Sequence, residues 1–310
     1  MYRRSELSLI TDKAFYLQQR SKRVLRGKII TIIARDPKEA EALAESIGKK
    51  KEEGKFYKKS GEELISVLVP KADEIFFLAE SASLSDYFCF LNKEVNREEA
   101  EIALLLESIG RDGCVLSQDE ETFKKYFGSF GIASKVSNKS IDVSAVQPAK
   151  DLGFAYLDSA FVVKGVGPVV LGFSYSTFKV HQKVKLLPSL KEAEIKSIQV
   201  LDEDYEEIGP GIRFGFALKG VEEKDVKASY ALIAEATSGL VSKMKAHKLS
   251  LAQDAKNLHA FFYGIKLYGN LEGDVLNLQG QVPKVDGRSI LLNVNVPQGK
   301  LRVYGWGEAL

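Results

Sequence analysis

Short, continuously apolar, β-branched runs alternate with amphipathic stretches through the first half of the chain. Ile29 to Ala34 (IITIIA) has the pattern of a parallel strand buried on both faces. Asp36, Pro37 and Glu39 then stand where a helix takes its cap, its first residue and a third-position carboxylate, and Ala40, Leu43, Ala44 and Ile47 share one face before Gly48. Leu64 to Val69 (LISVLV) predicts the next buried strand, with a helix through Ile75, Leu78, Ala79 and Ala82 after it and Asp73 as its cap. Tyr87 to Leu91 predicts another strand. Asn96 and Glu99 open a helix whose inner stripe is Ile102, Leu105, Leu106 and Ile109, and Gly110 ends it. Cys114 to Leu116 and Ile132 to Val136 predict the closing strands, with a helix between them that Ser117 and Glu120 can cap. Strands and helices alternating in this way predict a doubly wound parallel sheet, whose ligands sit beyond the carboxyl ends of the strands.

Near Asp142 the pattern changes. VSAVQPAKDLG reads as a linker, and from Phe154 short strands recur between Gly, Pro and Asp turns, the rhythm of antiparallel barrels. The expected organisation is a basic extension over residues 1–26, an α/β domain over 27–145, a first barrel over 152–227 and a second over 228–310. Ala231 to Glu235 is read as the first strand of the second barrel.

The 310 residues, 45% of them hydrophobic, exceed what one core usually holds, which fits two or three domains. Lys plus Arg (44) nearly cancel Asp plus Glu (42), so any nucleic-acid surface has to be a local patch. One such patch is the amino-terminal extension, with seven basic residues against two acidic ones; it reads as an RNA-contacting arm or as a solvated extension. Cys89 and Cys114 lie in apolar runs with no second Cys or His at ligand spacing, and they read as reduced core residues. The start of the chain lacks the uninterrupted apolar core of a signal peptide, and no run approaches a membrane span. The expectation is a cytoplasmic protein without membrane contact. His181, His247 and His259 are dispersed, and Tyr304 and Trp306 read as packing residues of the last strand, so no metal site, cofactor or catalytic triad is expected.

Three segments in order, FVVKGVGPVVLG at Phe161 to Gly172, EIKSIQ at Glu194 to Gln199 and GIRFGFALKGV at Gly211 to Val221, resemble the second domain of the elongation factor Tu superfamily, in particular its archaeal SelB-like branch. Gly165 and Gly167 let the first hairpin turn through positive φ. The resemblance implies a P-loop GTPase-like doubly wound sheet followed by two β-barrels similar to the family's second and third domains.

The family's nucleotide motifs are degenerate here. A phosphate loop needs glycines, bare backbone N–H groups and a lysine at a helix N-terminus. The corresponding stretch reads ARDPKEAE: Ala34 and Glu39 stand at the two glycine positions, Ala40 at the lysine and Glu41 at the magnesium-binding hydroxyl. Pro70 replaces the Mg²⁺-proximal Asp, and Ser117, Gln118, Asp119 and Glu120 stand where the guanine-reading motif belongs. A literal NKE at Asn92 to Glu94 follows the wrong strand and reads as a turn. No GxxxxGK[ST] occurs in the chain. The expectation is a non-enzymatic pseudo-GTPase.

In the family the second domain helps hold the aminoacylated end of tRNA in a pocket facing the first domain. The resemblance puts Asp158 at an acidic position of that pocket, Ser159 where a basic residue belongs, and Lys196 at a basic position of the SIQ strand. Arg213, expected on the surface of its strand, and Lys164, with Lys179, complete the candidate RNA contacts. Each reads equally well as a turn or solvated residue. The partner expected is a tRNA or the ribosome, not DNA; a protein-interaction scaffold and an atypical active GTPase are the alternatives.

Overall fold

A computed structural model describes residues 24–234, 237 and 239–310. The basic extension lies, up to Arg23, outside the described residues.

The first sheet is built from β1 (Arg26–Ala34), β2 (Lys49–Glu52), β3 (Lys55–Ser60), β4 (Glu63–Leu68), β5 (Tyr87–Asn92) and β6 (Asp112–Ser117), in the order β2-β3-β4-β1-β5-β6. Its β4-β1-β5-β6 portion is parallel, and β2 and β3 add an antiparallel meander at the β4 edge. Helix α1 (Pro37–Ile47) packs Ala40 and Ala44 on one face with Ile30, Ile32 and Phe56. Helices α2 (Ile75–Leu84), α3 (Arg97–Ile109) and α4 (Glu120–Phe127) pack on the other with Ile33, Phe88 and Phe90. The alternation along β1 sends even-numbered isoleucines to α1 and Ile33 to α3, as the two-residue period of a strand requires.

Three local expectations change. The hairpin β2–β3 escapes an apolar-run reading because KKKEEGKFYKKS holds two large apolar residues, Phe56 in the sheet core and Tyr57 against the first barrel. Lysines along β2 suit an edge strand, where charge discourages further pairing. Ile132 to Val136 is mostly a 3-10 helix (Gly131–Lys135), drawn in by a bond from the Ile132 amide to Glu107 at 2.7 Å, with one parallel bridge between Val115 and Val136. Glu74, not Asp73, occupies the α2 cap and makes no side-chain bond there, whereas Asp36 and Asn96 cap α1 and α3 as expected.

After a linker come β7 (Phe154–Val163), β8 (Gly167–Tyr175), β9 (Phe178–Lys179), β10 (Lys183–Leu187), β11 (Lys191–Val200), β12 (Glu203–Tyr205), β13 (Glu207–Ile208), β14 (Arg213–Lys219), a short helix α5 (Glu223–Lys227) and β15 (Ala231–Ala234). The sheet β10-β15-β7-β8-β14-β11 closes through the β10–β11 pairing. Ala231–Ala234 therefore completes the first barrel, paired to β10 and β7, instead of opening the second. Its ALIA run is buried on both sides, Leu232 in the first barrel's core and Ile233 in the core shared with the second barrel. Pattern alone does not choose between two adjacent barrels for such a strand. The second barrel closes as β16-β19-β18-β17-β20-β21, from Leu240–Lys248, Val275–Pro283, Ile265–Glu272, Asn257–Phe262, Arg288–Leu292 and Val303–Ala309.

Helix α2 sits where the three bodies meet. The Tyr175 hydroxyl donates to the Leu84 carbonyl at 2.5 Å, and the Gly264 amide to Ser83 Oγ at 2.9 Å. Phe76 lies against His259 and Phe261. Next to it, Glu101 of α3 receives Arg302 on both carboxylate oxygens. Asp86, at the start of β5, accepts from the Ile29 amide at 2.8 Å. Burial pushes its carboxyl up to about 7, against the pull of that amide and of Arg111. Folding thus raises this pKa, so the stabilisation is full below about pH 4 and is lost as pH rises through 7, at most about 4 kcal/mol. Urea unfolding across this window should show Asp86→Asn gaining stability relative to the wild type as pH rises toward 7.

Cys89 and Cys114 face each other across β5 and β6 with sulfurs 3.4 Å apart, a pairing that sequence spacing hides and parallel register creates. Among the described residues no group of three His, Cys, Asp or Glu side chains gathers as a metal cluster would.

Candidate functional site

Two places at the carboxyl end of the first sheet bear on function. The first is the turn from β1 into α1. Ala34 is buried, Pro37 has no amide hydrogen, Asp36 Oδ1 accepts from the Lys38 amide at 3.0 Å, and the Glu39 amide donates to the Asp36 carbonyl at 3.1 Å. Glu39 pairs with Lys93 at 2.6 Å, Arg35 with Glu94 at 3.1 Å, and Glu41 with Lys50 at 2.7 Å. Ala40 is buried against the sheet core.

The NKE turn lies beside this loop and has a structural task there. Asn92 donates to the Glu94 carbonyl at 2.9 Å and to the Glu99 carboxylate, and accepts from Ser117 Oγ at 2.6 Å. The Gln118 amide donates to the Asn92 carbonyl at 3.0 Å, while Glu120 pairs with Lys124 on its own helix. Burial raises the Glu99 carboxyl above its usual range, and the Lys93 and Glu94 amides and Asn92 work against that. Ser117 and Gln118 are thereby tied to the neighbouring strand.

The second place is a cleft of about 760 Å³ between the first sheet and the first barrel, lined in part by Pro70, Leu68, Phe77, Glu80, Tyr156, Asp158 and Phe173. Under Asp158 lies a charge network: Arg213 reaches Asp158 at 2.8 Å and Glu52 at 3.7 Å, and Lys55 reaches Glu52 at 2.7 Å and Asp158 at 3.7 Å. Arg213 is 6% exposed, with its guanidinium over the Phe173 ring. The surface position expected for it is thus corrected. The hairpin β2–β3, which the apolar pattern did not show, supplies Glu52 and Lys55 and covers it. Ser159, next to Asp158, is exposed.

The remaining candidates lie elsewhere. Lys164 is exposed at the tip of the β7–β8 hairpin, where Gly165 and Gly167 have φ of 82° and 108°. Lys196 is exposed at a bulge in β11 and donates to the Val166 carbonyl at 3.2 Å, so it belongs with Lys164. Lys179 pairs with Glu207 at 3.4 Å. Asp158 and Arg213 are brought together; Lys164 stands apart from them on the hairpin, and Lys196 reaches that hairpin from β11. Glu52, Lys55, Tyr57 and Glu80 were missed by sequence reasoning; the signal for the first three was the density of charge around a lone Phe-Tyr pair, and Glu80 sits on a helix that gives none.

No family model matches the chain. Over 189 residues it is 27% identical to a selenocysteine-specific elongation factor of Methanocaldococcus jannaschii, covering 50% of this chain and 40% of that protein. The structure of translation elongation factor SelB from Methanococcus maripaludis with the GTP analogue GppNHp superposes with a TM-score of 0.70 at 18% identity, over 92% of this chain and 79% of that one. In sequence over half its length, and in fold over most of it, the chain resembles SelB-type elongation factors. A 66-residue segment is also 42% identical to an uncharacterized protein of Methanocaldococcus jannaschii, over 21% of each chain. This chain spans less than half the length of these two curated relatives. The fold is that of a GTPase-like mixed sheet followed by two closed six-stranded antiparallel barrels. No helix among the described residues is long and apolar enough to cross a membrane.

Proposed function

We propose that this chain is a cytoplasmic SelB-like translation factor paralogue that has lost GTP binding and holds RNA, an aminoacyl-tRNA or the ribosome, through its barrels. One observation carries the loss: the helix N-terminus that would receive phosphates is filled from within by Asp36, Pro37 and Glu39. An incoming triphosphate would meet carboxylates where it needs amide donors and a lysine, and like charges close together repel strongly. Ser117 and Glu120 are likewise engaged within the chain. These residues do not fit a nucleotide with Mg²⁺. Fluorescent GTP analogue with Mg²⁺ is expected to show no binding at low micromolar concentration, and GTP is expected to leave small-angle scattering unchanged; binding of the analogue overturns this part.

RNA binding is supported by the kinship and by two exposed lysines, Lys164 at the tip of the β7–β8 hairpin and Lys196 on β11, which reaches that hairpin at the Val166 carbonyl. Phosphate contacts release counterions, so affinity for total tRNA is expected to fall steeply with salt. Absence of binding at about 50 mM salt rejects it. Phe77 and Tyr126, 57% and 63% exposed on the first domain, favour a second reading, a protein-docking scaffold. Pull-down from lysate with and without RNase separates the two: capture that survives RNase favours the scaffold.

A further inference from the structure

The cleft beside Asp158 has a chemistry of its own. Leu68, Leu84, Tyr156 and Phe173 give it an apolar and aromatic lining, and Glu53, Asp73, Glu74, Glu80 and Asp158 add carboxylates. Two of its lysines are already committed, Lys55 between Glu52 and Asp158, and Lys71 between Glu53 at 3.4 Å and Glu74 at 3.8 Å. Lys38 lines the α1 end. Glu80 is different: its carboxylate receives the Tyr156 hydroxyl at 2.8 Å and has no cation within ion-pair distance among the described residues. A carboxylate can accept about four hydrogen bonds, so this one is short of donors in a half-buried setting. Burial raises its pKa most and the nearby Asp158 adds to that, while the Tyr156 hydroxyl and the more distant Lys266 and Lys55 work against the rise.

We infer that this cleft binds an organic cation, an ammonium on an aliphatic stem, with Glu80 receiving the head and Tyr156 and Phe77 flanking the stem. The inference rests on the proposed function for its biological form, a basic side chain on the aminoacyl group held between the first domain and the first barrel. Its physical logic is separate. A charge-assisted bond to Glu80 replaces the missing donor, and aromatic faces attract a cation and cover methylene groups. Arg213 over Phe173 already shows that arrangement one residue deeper. An anionic ligand would meet the Glu80 carboxylate, which has no ion pair among the described residues, and be repelled.

The experiment compares N-acetyl-L-lysine methyl ester, whose only charge is the side-chain ammonium, with the uncharged N-acetyl-L-norleucine methyl ester, on the full chain by calorimetry or saturation-transfer NMR. The lysine ester is expected to bind at least about 10-fold more tightly, as one charge-assisted bond allows. Glu80→Gln should abolish that preference. Phe77→Ala, at an exposed position that does not threaten the fold, should weaken the lysine ester. Equal binding of the two esters, a preference unchanged in Glu80→Gln of native melting temperature, or no lysine ester binding at about 10 mM overturns the inference. RNA bound with a steep salt dependence but without ester discrimination sinks the cation inference alone. Discrimination without RNA binding sinks the parent reading and leaves a cation site.

Discussion

Replacing Arg213 by Ala should cost about 3–5 kcal/mol of stability, because it strands a carboxylate inside a contact between two domains. Arg213 lies at the start of β14 with its side chain 7% exposed, and Asp158, its main partner at 2.8 Å, is 15% exposed. Glu52 retains Lys55 at 2.7 Å, but Asp158 is left with Lys55 at 3.7 Å alone. The guanidinium also packs over Phe173, so the substitution removes contact area as well as charge. Arg213→Lys should recover part of the loss, since an ammonium cannot span Asp158 and Glu52 as a planar fork does. Asp158→Asn in the Arg213→Ala background should be milder than the sum of the single changes, giving a coupling energy of about 1–3 kcal/mol in a double-mutant cycle. Urea unfolding measures all four proteins. The same variants bear on RNA recognition: a phosphate-contacting arginine would lower the salt slope by about one when removed, whereas this buried ion pair predicts an unchanged slope for whatever fraction remains folded. A stability loss below about 1 kcal/mol would show that solvent reaches the pair.

Gly27→Ala should be as severe, through backbone and not through charge. A Cβ at Gly27 would lie 1.9 Å from the Gly211 carbonyl oxygen, and one at Gly211, where φ is 79°, would lie 2.3 Å from the Gly27 carbonyl oxygen. The two backbones touch because the start of β1 is sewn to the first barrel: the Gly27 amide donates to the Pro210 carbonyl at 2.8 Å, the Gly209 amide to the Leu25 carbonyl at 2.8 Å, and the Ala149 amide to the Gly27 carbonyl at 3.1 Å. A methyl group cannot be absorbed by a rotamer change when its neighbours are main-chain atoms. The expected loss exceeds about 4 kcal/mol, a fall of roughly 10 °C in melting temperature for a chain of this size. Gly307→Ala is the control, because its Cβ would meet only side-chain carbon, 3.4 Å away on Leu291. A Gly27→Ala protein that melts with the wild type would mean that the two domains separate without cost.

Both predictions fall on the junction between the sheet and the first barrel, the part of the molecule least legible in the sequence. The glycines of FVVKGVG were readable as a hairpin because the positive φ of Gly165 and Gly167 is a local requirement of the turn. Gly172 is required for a tertiary reason: a Cβ there would lie 1.8 Å from the Tyr156 carbonyl oxygen, opposite the bulge at Leu157–Ser159. Likewise, Asp36 as a cap was readable from its neighbours, while the pairing of Glu39 with Lys93, 54 residues away by numbering, was not.

What the sequence determined by itself is therefore what short-range physics sets. The buried strands of the sheet, the caps of α1 and α3, the hairpin turn and the absence of a GxxxxGK[ST] motif each depend on residues within a few positions of one another. Only the tertiary structure decided that Arg213 is buried, that Ala231–Ala234 belongs to the first barrel, that Cys89 meets Cys114, and that Glu80 lines a cleft without an ion pair of its own among the described residues. Each of these depends on which surfaces cover which. Burial, desolvation and ion pairing between distant segments are properties of the assembled layers, and a charged hairpin such as β2–β3 gives no apolar signal of the arginine it will bury.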